Sequence, residues 1–148
     1  MSLRERLAAR ARPTASFHLR VDDDSQAHAD LVAAQAVGLP ERIATAQAAL
    51  EACYERLELS ALAPADMEAL LEAHPPPPDQ RESTNVMFNQ VTFVPALIAA
   101  CVVDSDMTED DWVEFTTKGP VTRGEVLALF NACWDLNHRT PDINLKKG

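Results

Sequence analysis

The sequence predicts a mainly α fold, a compact helical domain of about five to seven helices with a short N-terminal β-strand or extended arm. Three observations carry this. The apolar fraction is 47% with only 5% aromatics, and much of it is Ala, the strongest helix former. Apolar positions recur at spacings of three and four along most of the chain. Helix start and stop signals, among them Gly38, Pro40 and the pair Thr122 and Glu125, punctuate those runs. At 148 residues the chain is one domain's worth, and such a chain buries roughly two-thirds of its unfolded surface. Its core is expected to consist mainly of Leu, Val and Ala.

Taken in order, residues 2 to 11 predict a short basic helix that stops before Pro13. "TASFHLRV" then alternates Phe17, Leu19 and Val21 with Ser16, His18 and Arg20, which is strand periodicity. A lone strand needs a partner, so it either pairs with its copy in another subunit or lies as an arm along the helices. Ser25 caps a helix over about 26 to 37 that Gly38 ends. Pro40 stands near N1 of the next, over about 41 to 58, where Ile43, Ala46, Leu50, Cys53 and Leu57 form one apolar face. A short helix over about 64 to 73 carries Met67, Leu70 and Leu71.

"HPPPPDQREST", 74 to 84, breaks the helical pattern, because four prolines in a row hold an extended segment. It reads as a stiff linker, with docking on an aromatic groove as the alternative. After it Thr92 caps a helix over about 93 to 103 that tolerates Pro95 in its first turn and is apolar nearly all round. The last helix, about 123 to 138, opens on a capping box of Thr122 and Glu125. These breaks divide the chain into a basic helix and arm (1–24), an N-terminal helical part (25–73), a linker (74–84), a C-terminal helical part (85–138) and a flexible tail (139–148).

"DSDMTEDDWVEF", 104 to 115, poses a choice between a calcium loop and an acidic helix start. An EF-hand loop needs Gly at its sixth position and Glu at its twelfth, and here Glu109 and Phe115 stand there. Thr108 as N-cap with Asp111 at N3 fits better, since the first turn favours negative charge. The expected helix covers about 109 to 117, and no metal site is expected.

Net charge is −10, unevenly placed. Residues 1 to 20 hold Arg4, Arg6, Arg10, Arg12 and Arg20 against Glu5, so they carry +4 and the remaining residues −14. An acidic body repels nucleic acid, and only the basic arm is suited to phosphates or an acidic partner, its simpler role being a solvated terminus. Cys53, Cys101 and Cys133 stand apart in apolar runs with no CxxC spacing, as small buried hydrophobes of a reducing compartment do. "MSLRERLAARARP" lacks the apolar centre of a signal peptide, and "FVPALIAACVV", at 11 residues, is too short to span a bilayer. The expected location is the cytosol. His18, His28, His74 and His138 lie far apart, no HExxH occurs, and 4 glycines supply no phosphate-cradling loop. No catalytic residue and no cofactor is expected.

The order "FNQVTFVPALIAACVVD", "MTEDDWVEF" and "VTRGEVLALFNACWDLN", closing on Leu136 and Asn137, resembles the C-terminal signature of the tail assembly chaperones of long-tailed phages infecting actinobacteria. The resemblance covers about residues 81 to 138. It implies a non-enzymatic, mostly helical assembly factor that binds the tape-measure protein, promotes polymerisation of the tail-tube protein around it, acts in the cytoplasm of the bacterial host and is left out of the mature virion. It also implies a longer form of the chain made by ribosomal frameshifting. Lys146 and Lys147 suit a slippery run of adenines. A homo-oligomer is compatible with it, whereas nucleic acid and membrane are not expected partners. Leu97, Trp112, Phe130 and Trp134 are the candidate partner-binding positions, core and contact roles being open for each. Trp112, among acids, is expected to be partly exposed. The alternative is a small helical head-to-tail adaptor retained in the particle.

Overall fold

The computed structural model describes residues 1–81 and 85–140. Residues 82–84 of the predicted linker, and 141–148 of the predicted tail with Lys146 and Lys147, lie outside the described residues. Among the described residues the elements run α1 (Leu3–Ala8), β1 (Thr14–Arg20), α2 (Ser25–Val37), α3 (Pro40–Glu51), β2 (Tyr54–Ser60), α4 (Pro64–Ala73), α5 (Gln90–Cys101), β3 (Val102–Val103), α6 (Glu109–Lys118) and α7 (Arg123–His138). The protein is mainly α with a small antiparallel sheet of order β1-β2-β3. The chain forms two compact units, one of residues 16–57 and one of residues 1–15 with 58–148.

The sheet corrects the expected helix over 41 to 58. That helix stops at Glu51, and "YERLELS" continues as β2. Leu57 and Leu59 alternate with the polar Arg56 and Glu58, a period of two that the longer period of the preceding helix concealed. The Val21 amide donates to the Cys53 carbonyl and the Ala61 amide to the Pro13 carbonyl. These end pairs are eight residues apart on either strand, so no bulge intervenes, which sets Phe17 opposite Leu57 and Ala15 opposite Leu59. At the other edge of β2, Glu58 and Leu59 face Val103 and Val102 of β3. Asp104, immediately after, takes φ 56, a left-handed conformation that Asp tolerates better than most residues.

In the unit of residues 16–57, α2 and α3 form a helical hairpin turned by Gly38, whose φ of 79 costs a side-chain-bearing residue strain. Leu31, Ala34 and Ala46 are its buried core, with Ile43 and Leu50 packed on them. Asp24, and not Ser25, is the N-cap of α2. Ser25 instead gives its amide and hydroxyl to the Asp23 carboxylate.

In the other unit α5 is the centre. Phe93 through Ile98 are all buried, as is Cys101, and α4, α6 and α7 pack around it. The expected cap at Thr92 is corrected to Asn89, whose side chain accepts from the Val91 amide, and Pro95 is the sixth residue of α5. Pro95 therefore returns no N–H to the Val91 carbonyl. Phe88 at N′ packs on Phe93 at N4 with centroids 4.4 Å apart, a hydrophobic staple that fixes the entry of the chain. Both expected capping boxes are present, Thr108 with Asp111 and Thr122 with Glu125.

The Tyr54 hydroxyl donates to the Asp24 carboxylate at 2.5 Å. This bond holds the Asp24 carboxyl below its ordinary 3.8, against a smaller opposing effect of burial, and lifts the Tyr54 phenol above its ordinary 10.0. The depressed Asp24 stabilises the fold fully above its ordinary value and loses that contribution as pH falls through its lower folded value. The raised Tyr54 stabilises it fully below its ordinary value and loses that as pH rises through its higher folded one. Tyr54→Phe should lower the melting temperature near neutral pH, with the difference from wild type shrinking at both acid and alkaline extremes. Melting curves recorded across pH check this.

Candidate docking cleft

The four residues singled out in the sequence all sit in the α5-centred unit. Leu97 is fully buried in α5, and Phe130 is buried in α7. Trp112 is 2% exposed, which corrects its expected partial exposure. The acids Glu109, Asp110 and Asp111 fill the first turn of α6, and the next residue, Trp112, turns inward with its ring edge-on to Phe115 at 5.6 Å. Trp134 is half-buried and joins Phe130, Phe93 and Phe88 in one aromatic group, with centroids within 6.2 Å. His138 stacks on Trp134 at 4.0 Å and donates from Nδ1 to its carbonyl. These rings pack one against another as core aromatics do.

One polar side chain ties this core together. Asn137 donates from Nδ2 to the Cys133 carbonyl at 2.8 Å and to the Cys101 sulfur at 3.2 Å, and its Oδ1 accepts the Leu62 amide at 2.7 Å. The end of α7 is thereby joined to the end of α5 and to the β2–α4 connection. Cys101 and Cys133, far apart in sequence, meet here as free thiols. Their contact, helped by burial, pushes the Cys133 thiol far above the ordinary range, and donation from Cys133 and then Asn137 holds Cys101 below it although burial opposes this.

Beside Asn137 lies a cleft of about 600 Å³. Its floor is apolar, formed by Leu62, Met67 and Leu71, and one wall is Pro75 and Pro76 of the polyproline run. Met87, 64% exposed, overhangs it, and Glu68 and Glu72 of α4 line it as well. Met67 with Leu71 and Glu68 with Glu72 are i, i+4 pairs, so an apolar stripe and an acidic stripe run side by side along α4. Methionine adapts its shape to irregular apolar partners. The arrangement is thus an apolar trough with a negative rim, suited to an amphipathic helix that carries basic residues beside its apolar stripe.

A second hollow, about 390 Å³, lies between α5, α6 and α7. Val91, Val94, Pro95, Val121, Val126 and Leu127 give it apolar walls. The Thr116 and Thr117 hydroxyls that line it donate back to α6, to the carbonyls of Trp112 and Val113, so they are engaged within their own helix. Among the described residues no group of three or more His, Cys, Asp or Glu is placed to hold a metal ion, and no helix is long and apolar enough to cross a membrane.

Sequence reasoning missed the cleft. Its signal was present in the i, i+4 pairs Met67 with Leu71 and Glu68 with Glu72, but that Met87 and the prolines close over the same face depends on the path of the chain between α4 and α5.

Asn137→Leu keeps the size of the side chain and leaves the Leu62 amide without its acceptor. Losing the acceptor of this part-buried amide together with the Asn137 donor bonds costs roughly 1–3 kcal/mol, and urea unfolding should show a loss of that order with an unchanged slope.

Comparison with protein-family models, with curated proteins and with solved structures finds no match to this chain.

Proposed function

We propose that this protein is a phage tail assembly chaperone, a non-enzymatic factor that holds an amphipathic helical segment of the tape-measure protein while tail-tube subunits assemble around it. The observation that carries the reading is the Met-lined trough with an acidic rim beside α4. A long helical client exposes apolar stripes before assembly, and a chaperone must cover them without aggregating in turn. The trough supplies the apolar contact, and a net charge of −10 keeps loaded complexes apart. The ordered segments from Phe88 to Asn137 that resemble the chaperone signature support the same reading, since they build the wall against which α4 and the trough are set. Of the four positions named from sequence, Leu97, Trp112 and Phe130 serve as core in this account, and Trp134 supports the core from its half-buried edge. Contact with the client falls to Leu71 and Met87, over the buried Met67, steered by Glu68 and Glu72.

Co-expression with the tape-measure protein from the same genome tests it. The wild type should co-purify with that client and raise its soluble yield severalfold. Met87→Asp, at an exposed position, should keep the melting temperature and lose most of the client. Val113→Asp, 42% exposed on α6 and outside the trough, should retain it. No gain in client solubility, or a stoichiometric presence of the chain in purified virions, would count against the chaperone and in favour of a head-to-tail adaptor.

A further inference from the structure

α1 opens on Ser2, whose hydroxyl accepts the Glu5 amide, and none of its residues is buried. Leu3 is 70% exposed and Leu7 56%. A helix of six residues is well short of the length that persists unaided in water, so burial of one of its faces has to supply what propensity does not. Each residue is turned about 100° from the last. Leu3 and Leu7 therefore share one face, Arg4 and Arg6 flank that face on its two sides, and Glu5 lies on the opposite one. Arg10 and Arg12 follow in the arm that leads to β1, so residues 1–12 hold four arginines against one glutamate.

An apolar stripe flanked by basic residues is the chemistry that the trough beside α4 is suited to take. There Leu71, Met87 and the prolines supply apolar contact, and the exposed Glu68 and Glu72 supply the negative rim. From Glu58 to Gln80, the stretch that builds most of the trough, the chain has no Lys or Arg. Among the described residues no ion pair engages Arg4, Arg6, Glu68 or Glu72.

The geometry points to an exchange of arms between two copies of this chain, with α1 of each copy seated in the trough of the other about a two-fold axis. This rests on the reading of the trough as a docking site for a basic amphipathic helix, and it makes a second copy the occupant when no client is bound. In its own chain α1 belongs to the same compact unit as α4 and still buries nothing, so the arm holds it clear of its own trough. The root of the arm nevertheless stands beside that trough. The Pro13 carbonyl accepts the Ala61 amide, and Leu62, the next residue, is part of the apolar floor. Four residues, Ala9 to Arg12, join α1 to this root, and from Ala8 to Pro13 they reach roughly 17 Å when extended. Two copies set trough to trough thus bring each α1 within reach of the other's trough, and exchange of an identical element closes the pair with every contact made twice. Because an arginine flanks the leucines on either side, one of them meets the acidic rim whichever way the helix runs, and no single register is required.

Sedimentation equilibrium on the full chain, with no client present, tests the proposal. The wild type should sediment at twice 16.2 kDa. Leu3→Asp with Leu7→Asp should yield a monomer with the circular dichroism of the wild type, and Met87→Asp should do the same from the side of the trough. Arg4→Glu with Arg6→Glu, and Glu68→Lys with Glu72→Lys, should each weaken the dimer about tenfold, since exposed pairs are individually modest but are made twice and become repulsions. All four substitutions together should restore association to within about threefold of wild type. A wild type that stays monomeric, as it would if α1 closed on its own trough, a dimer that either apolar replacement leaves intact, or a fourfold variant that fails to regain association would overturn the proposal. No client enters this experiment, so its failure leaves client capture in co-expression standing. In that co-expression the Leu3→Asp, Leu7→Asp variant, whose trough is open, should still capture the client, and loss of capture by every form would remove the chaperone while leaving the exchanged dimer.

Discussion

A helix that is apolar on every side has to be covered on every side, and α5 imposes that constraint on the unit around it. Six consecutive buried residues, Phe93 to Ile98, leave the middle of the helix no face for water. One flank is met by α7, through Leu129, Phe130 and Cys133, and another by α6, through Trp112. The two covering helices each begin on a capping box, at Thr108 and Thr122, which satisfies amides that would otherwise be orphaned. Burying Phe93, Val94, Leu97 and Ile98 of α5 yields on the order of 1.5–3 kcal/mol each, more than an exposed surface ion pair typically contributes. The polar devices around it, Asn89 at its start and Asn137 at its end, fix register and direction for a core that is otherwise non-directional.

Much of this was legible from the chain. A helix start written as Thr-x-x-Asp or Thr-x-x-Glu is a local event, and both appear where the residues place them. So do the ends of α2 at Gly38 and the span of α4. What escaped was non-local or ambiguous. Tyr54 to Ser60 carries leucines spaced by two, but they follow a helix whose spacing of three and four absorbs Leu57 equally well, and only pairing to β1 and β3 decides. The start of α5 was displaced because Thr92 and Asn89 are both competent caps. Phe88 three residues on from Asn85 gives no sign of itself until Asn89 is taken as the cap, after which Phe88 and Phe93 fall into staple positions. Trp112 misled because charged neighbours in sequence occupy other faces of the helix.

The candidate cleft was less legible than the fold. Aromatic residues attract attention as contact sites, yet here Trp112, Phe130, Phe93 and most of Trp134 serve the interior. The surface that remains for a partner is made of methionine, leucine and proline, residue types that in a sequence read as ordinary core or linker. The meeting of Cys101, Cys133 and Asn137 is of the same kind. Each lies in an unremarkable run, and packing of α5 on α7 brings them within bonding distance.

The middle of α5 is enclosed so completely that it opens only when its whole unit does. Native-state hydrogen exchange measures this directly. The amides of Leu97, Ile98 and Cys101 should exchange with the free energy of global unfolding found by denaturant titration. Exchange of those amides through a local opening, at a free energy below that of α6, would contradict it.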